Sequence, residues 1–205
     1  MKALFTRHRK LLPLALIVLL AGGLSGCGGV LVSAGTTVGS AAIQERGIKG
    51  RAKDLRVEAL LLDKFLNAGL KLTTTIGIEV YEGRVLLTGS TTNTSLSDQA
   101  VKLAYQVDGV TEVINEIQVD KDGTAGAYAQ DTWITAQLKS KMTFDEDILS
   151  INYVIETVNG TIYLIGIAQN QEELDKVIAH ANSVDHVKRV VSHVRLKKKA
   201  FEEKT

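Results

Sequence analysis

The sequence predicts an α+β protein made of two tandem αββαβ units, each a small three-stranded mixed sheet covered by two helices. Three observations carry this expectation. A shift of 77 residues aligns 54–119 with 131–196 without a gap, and 17 of the 66 positions are identical, so one unit occurs twice. In each copy the apolar spacing alternates between helical and strand periods in the order αββαβ. Each copy also places a two-residue turn, Glu82-Gly83 or Asn159-Gly160, between two short β-prone runs, the signature of a hairpin.

The N-terminus comes first in chain order. Residues 1–10 carry Lys2, Arg7, Arg9 and Lys10 and no acid, and LLPLALIVLLA follows at 11–21. A positive start, a short apolar core and then small residues are the parts of a secretory signal. The apolar run is short for a bilayer span. Leu24-Ser25-Gly26-Cys27 resembles the lipobox of bacterial lipoproteins, with Cys27 the lone cysteine of the chain. The resemblance implies that the Cys27 thiol takes a diacylglycerol, that residues 1–26 are removed, and that the new amine is acylated. Each methylene of such chains contributes about 0.8 kcal/mol of membrane affinity. Residue 28 is Gly rather than Asp, which in the same family implies transfer to the outer membrane, facing the periplasm. The alternative is a plain signal peptide with an incidental cysteine.

Residues 27–53 read as the lipidated cysteine and a flexible tether rich in Gly, Ala, Ser and Thr, with a reach of roughly 25–30 Å. Its basic end, Arg46, Lys49, Arg51 and Lys53, lies on anionic headgroups or is simply solvated. The first unit is 54–119, a linker spans 120–130, the second unit is 131–196, and 197–205 is a charged tail. In unit two, Ile134, Leu138 and Met142 recur at helical spacing, with Asp131 or Thr132 as the cap. Strands follow at Val154 to Val158 and Thr161 to Gly166, ended by Gly166 as Gly89 ends its counterpart. Leu174, Val177, Ile178, Ala181 and Val184 space as a second helix. Val190, Ser192, Val194 and Leu196 alternate as a last strand, like Val113, Asn115, Ile117 and Val119 in unit one. A single unit of 66 residues is marginal in core size, so the two are expected to pack together.

The hairpin Gly83 and Gly160, the strand Gly89 and Gly166, and the stretches VDGVTEVINEIQV and VDHVKRVVSHVRL resemble the BON domain, a small αββαβ module of bacterial envelope proteins. A lipobox followed by two such units resembles the outer-membrane lipoproteins that carry two BON domains. The resemblance implies a non-enzymatic role in outer-membrane integrity, binding of anionic phospholipid by the second unit, and gathering at the division site. His186 stands where unit one has Gly109, which puts the local turn geometry in question.

Differences between the copies at surface positions point to function. Trp133 aligns with Arg56 and Phe144 with Asn67. On a helical wheel Gln137, Ser140, Lys141 and Phe144 fall near Trp133. An indole favours the headgroup level and a Lys head can meet phosphate while its stem rests on apolar groups. Trp133, Lys141 and Phe144, with Lys139 nearby, are the candidate phospholipid-binding residues. The competing reading buries Trp133 between the two units. Unit two carries six Lys/Arg against nine Asp/Glu, so attraction to an anionic surface must be local, from residues such as Lys188, Arg189, Arg195 and Lys197, while Asp145, Glu146 and Asp147 oppose it.

Composition narrows the classes. Apolar residues make up 45% and charged residues 23%, compatible with a packed core. One cysteine excludes an internal disulfide framework and a cysteine-rich zinc site. The formal charge is +1 and falls to −3 once the four N-terminal cations are removed, unlike a globally basic nucleic-acid binder. No G-x-S-x-G, Walker loop or H-E-x-x-H occurs, and His180, His186 and His193 lack ligand spacing. No catalytic residue, metal or cofactor is nominated. The expected partner is an anionic phospholipid membrane; the alternative is a protein-interaction module serving outer-membrane protein assembly or cell-wall remodelling factors.

Overall fold

The computed structural model describes residues 44–119 and 128–198. The proposed signal, Cys27, Gly28, most of the tether and the tail beyond Lys198 lie outside these residues. The elements of the first unit are α1 (Gly47–Ala68), α2 (Leu70–Thr75), β1 (Ile76–Tyr81), β2 (Arg84–Thr91), α3 (Thr94–Ala104), β3 (Glu112–Asn115) and β4 (Gln118–Val119). Those of the second are α4 (Tyr128–Phe144), a 3-10 turn (Ser150–Asn152), β5 (Tyr153–Val158), β6 (Thr161–Ala168), α5 (Gln171–Asn182) and β7 (Arg189–Leu196).

Both sheets follow one plan. A hairpin pairs β1 with β2, and β5 with β6, antiparallel; the last strand then joins the central strand in parallel. In unit one that last strand splits into β3 and β4, both on β2. Asn115 causes the interruption: its side-chain oxygen accepts from the Ile117 N–H at 3.2 Å, and its amide donates to Ser97 Oγ at 3.1 Å. Such side-chain competition with the ladder is characteristic of Asn. The equivalent Ser192 lets β7 run unbroken.

The central strands do not end at the expected glycines. β2 and β6 each continue two residues beyond Gly89 and Gly166. These glycines instead permit a close approach: a Cβ on Gly166 would sit 2.1 Å from the Asn152 carbonyl oxygen, and one on Gly89 2.2 Å from that of Thr75. Their φ values of 154° and 126° also favour glycine.

One face of each sheet is covered by its own helices. Val57, Leu61 and Phe65 of α1 pack with Val80, Val85, Leu87 and Ala100. Ile134, Leu138 and Met142 of α4 pack with Ile155, Ile162, Leu164 and Val177. The other faces meet each other: Tyr81, Leu86 and Ile114 of the first sheet form a third core with Tyr163 and Ile165 of the second. The molecule is thus layered helix, sheet, sheet, helix.

Polar contacts rim this sheet–sheet core. Arg84 is buried, pairs with Glu112 at 2.7 Å and donates to the His193 carbonyl at 2.8 Å. Arg195 reaches the same Glu112 at 2.7 Å, and His193 meets Glu116 at 2.9 Å. Gln118 donates to the Val158 carbonyl and to Tyr163 Oη. At another position the carboxyls of Glu79 of β1 and Glu156 of β5, equivalent residues in the duplication, act on each other. Burial and the neighbouring Glu156 carboxylate push Glu79 up to about 8, and burial likewise raises Glu156. Two carboxyls buried side by side resist ionising together.

The end of the tether is ordered. α1 starts at Gly47, seven residues before the expected boundary. Arg46 does not reach toward headgroups: its side chain is 3% exposed and pairs with Asp54 at 2.7 Å. It also donates to the Val80 carbonyl and lies 4.3 Å over the Tyr81 ring. Gln44 and Glu45 bond to Ile151 and Asn152, tying this segment to unit two.

Candidate functional site

The duplicated aspartates explain how α1 and α4 are held. The sequence offers Asp131 or Thr132 as the helix cap, yet α4 begins three residues before Asp131, at Tyr128. The carboxylate of Asp131 instead accepts from the N–H groups of Asn159 and Gly160, both at 2.8 Å. Asp54 accepts likewise from Glu82 and Gly83, at 3.0 and 2.9 Å. All four turn residues have positive φ, from 52° to 78°, which aims adjacent N–H groups at one acceptor. Each helix start is thereby fixed to its hairpin.

That anchoring sets the outward face of α4. Trp133 is 42% exposed and Phe144 84% exposed. The sheet–sheet core excludes both, so Trp133 is not buried between the units. Trp133 and Phe144 lie 11 residues apart, about 16 Å along the helix axis, with Gln137 and Ser140 on the same ridge. Lys141 is exposed on the flank of that ridge. The ridge is apolar at its two ends, polar between, and edged by a cation.

Lys139 does not join them. It lies on the opposite flank, lines a cleft of about 200 Å³ with Met142, Thr143, Ser150 and Tyr153, and its charge acts on Glu156. The cleft lies between α4 and the start of β5, and neither Trp133 nor Phe144 lines it.

His186 was not anticipated as a member of the site. Its φ of 66° keeps the left-handed turn that Gly109 makes at 97° in unit one. Its ring stands edge-on to Trp133, with centroids 6.0 Å apart and planes at 66°, an arrangement aromatic rings favour. The departure from glycine at this turn was the available signal: a side chain accepted in a strained position points to a contact. Lys188 and Arg189 follow closely and are exposed.

Two of the acids after Phe144 are engaged within the molecule. Asp145 meets His180 at 2.8 Å, and the His180 hydrogen bond holds the Asp145 carboxyl below the usual range. Asp147 pairs with Lys176. Glu146 remains exposed. Two of the expected basic residues are also engaged within the molecule: Arg195 with Glu112, and Lys197 with Glu45 at 2.9 Å and with Gln169. Among the described residues no helix is long and apolar enough to cross a membrane, and no cluster of three or more metal-ligating side chains occurs.

The BON domain matches this chain twice, at residues 53–121 and 130–198. The chain is 48% identical over 123 residues to a protein from the gshII 5′ region of Anaplasma centrale, covering 60% of this chain and 82% of that one. It is 30% identical over 184 residues to the outer membrane lipoprotein DolP of Haemophilus influenzae, covering 87% and 94%. It is 31% identical over 144 residues to osmotically-inducible protein Y of Escherichia coli, covering 69% and 70%. With two matched αββαβ units and a DolP relative aligned over nearly its whole length, the chain belongs to the BON-domain family, as a tandem, DolP-like member.

Proposed function

We propose that this protein is a lipid-anchored outer-membrane lipoprotein of the periplasmic face that binds anionic phospholipid through its second BON domain and supports outer-membrane integrity. Acylation of Cys27 supplies the anchor, and the Trp133 face of α4 supplies the contact. One observation carries the reading: Trp133 and Phe144 stand exposed on one ridge beside Lys141, where the first domain has Arg56, Asn67 and Lys64. The likeness to an outer membrane lipoprotein over 87% of the chain supports the location.

In this arrangement the indole and the phenyl ring enter the headgroup level and Lys141 meets phosphate. Lys188, beyond the Trp133–His186 contact, adds attraction of about 1 kcal/mol if it reaches the surface. Gathering at the division site follows from the same reading if anionic lipid is enriched there. Co-sedimentation of the unlipidated chain, residue 28 onward, with phosphatidylglycerol vesicles tests the contact. Trp133→Glu is expected to weaken binding roughly tenfold, about 1.4 kcal/mol, with an unchanged melting temperature. Undiminished binding by the folded variant rejects the contact and favours a protein-interaction module.

A further inference from the structure

The first domain carries an apolar stripe that the second lacks. Ile48, Ala52, Leu55, Ala59, Leu62 and Leu66 follow one another along α1 at steps of four, three, four, three and four. Ile48 is 51% exposed, Leu62 46% and Leu66 49%. Ala52 and Ala59 are exposed as well, and Leu55 is half-buried. The buried side of α1, at Asp54, Val57, Leu61 and Phe65, is a different face. From Ala52 onward the positions 77 residues later are Ala129, Thr132, Ala136, Lys139 and Thr143, so the duplication does not require an apolar seam here.

The width of the stripe says what covers it. On a wheel it spans only about 80°, with two apolar positions in each heptad. An interfacial membrane helix presents a broad apolar face with large side chains. Here two of the six are alanines and none is aromatic, in contrast to the Trp133 ridge. Small residues alternating with large ones suit the close approach of another helix.

The alternation is self-complementary in one orientation. If a second α1 lies antiparallel, Ala52 faces Leu62, Leu55 faces Ala59, and Ile48 faces Leu66, each small residue meeting a large one. Charge agrees. The exposed Lys49, Lys53 and Arg56 crowd the N-terminal half of the helix, and Asp63 lies in the C-terminal half. Reversal brings Lys49 toward Asp63 of the other copy, whereas a parallel pair stacks each cation on its own copy. Arg56 lies near the two-fold axis and must turn outward. We propose that α1 is a self-association surface on which two copies of this chain pair antiparallel through the Ile48–Leu66 seam, about the two-fold axis that a closed dimer requires. This proposal does not depend on the lipid-binding reading.

Disulfide trapping in cells tests it on the full chain. Two differently tagged copies are expressed together, one carrying Ala52→Cys and the other Leu62→Cys, with the parent chain and its Cys27 as background. In the antiparallel pair these positions face each other within disulfide reach, so the mixed adduct is expected at least about fivefold above either same-position adduct. Lys49→Asp is expected to lower the yield and the added Asp63→Lys to restore it. All four positions are exposed, and circular dichroism of each variant confirms folding. Adducts confined to matching positions, or none above background in folded variants, overturn the proposal. Failure of the charge exchange to restore the yield overturns the orientation. Co-sedimentation of these variants with anionic vesicles should be unchanged; loss of binding there would give the stripe to the membrane instead.

Discussion

The two BON domains share a backbone plan and a core, and they diverge where the shared plan leaves residues free. At the start of α1, Asp54 holds the hairpin and also neutralises the buried Arg46. In the second domain Asp131 holds the hairpin with no arginine beside it among its bonds. On the outer helix the first domain shows a narrow Leu/Ala seam, and the second shows two separated aromatics with a lysine. At the turn before the last strand one copy keeps glycine and the other accepts a strained histidine that reaches Trp133. Duplication preserved the joints of the fold, and the exposed helix faces acquired different chemistry.

The largest expected effect breaks the shared joint. Asp54→Ala leaves Arg46 buried without its partner and should destabilise by about 3–5 kcal/mol. Asp131→Ala leaves two turn N–H groups without an acceptor and no such charge, so about 2–3 kcal/mol is expected. Urea unfolding of the two variants reads the difference; equal losses would show that Arg46 is not held as described. Gly166→Ala forces the β6 backbone away from the Asn152 carbonyl and should cost about 3 kcal/mol, measured in the same way.

A medium effect concerns the contact between the domains. Glu79 is pushed up to about 8 by burial and Glu156, well above its unfolded value near 4.5. Between those pH values the folded state binds more protons than the unfolded state, so this site's contribution to stability falls as pH rises. It is fully present below about pH 4.5 and is lost as pH passes through 8. Arg51 offsets part of the shift, Glu58 adds to it, and Lys139 lowers Glu156. Melting temperatures of Glu79→Gln and the parent from pH 5 to 8 should diverge, with the variant declining less. Parallel curves would contradict the raised Glu79 carboxyl.

The smallest effect is at the divergent turn. His186→Gly relieves about 1–2 kcal/mol of left-handed strain and removes an aromatic contact of about 0.5–1.5 kcal/mol. Net stability should change by less than about 1 kcal/mol. Emission of Trp133, the sole tryptophan, should shift to the red as the indole gains solvent.

Much of this architecture was legible in the sequence because it is local or repeated. The gapless register, the Asn159-Gly160 hairpin and the Ile134–Leu138–Met142 spacing each reflect neighbours close in the chain. The aspartates were not legible in the same way. Asp131 sits beside a helix start, where a cap is the local reading, and its real partners lie 28 and 29 residues away. The face-to-face packing had a signal that periodicity alone undervalues: Thr161–Ala168 reads TIYLIGIA, nearly apolar throughout. Such a run implies burial on both sides of the sheet. Trp133 was legible as a difference between copies, and its exposure required knowing which sheet face the second domain uses. Lys139 illustrates the limit of proximity in sequence: two residues from Lys141, it points to another flank.

The most direct measurement follows Trp133 fluorescence as phosphatidylglycerol vesicles are added to the unlipidated chain, with acrylamide as the water-soluble quencher. A blue shift and reduced quenching are expected with anionic vesicles, and little change with neutral phosphatidylcholine. Unchanged emission and quenching under conditions where the chain nevertheless co-sediments would place the membrane contact elsewhere and contradict the assignment of the α4 ridge.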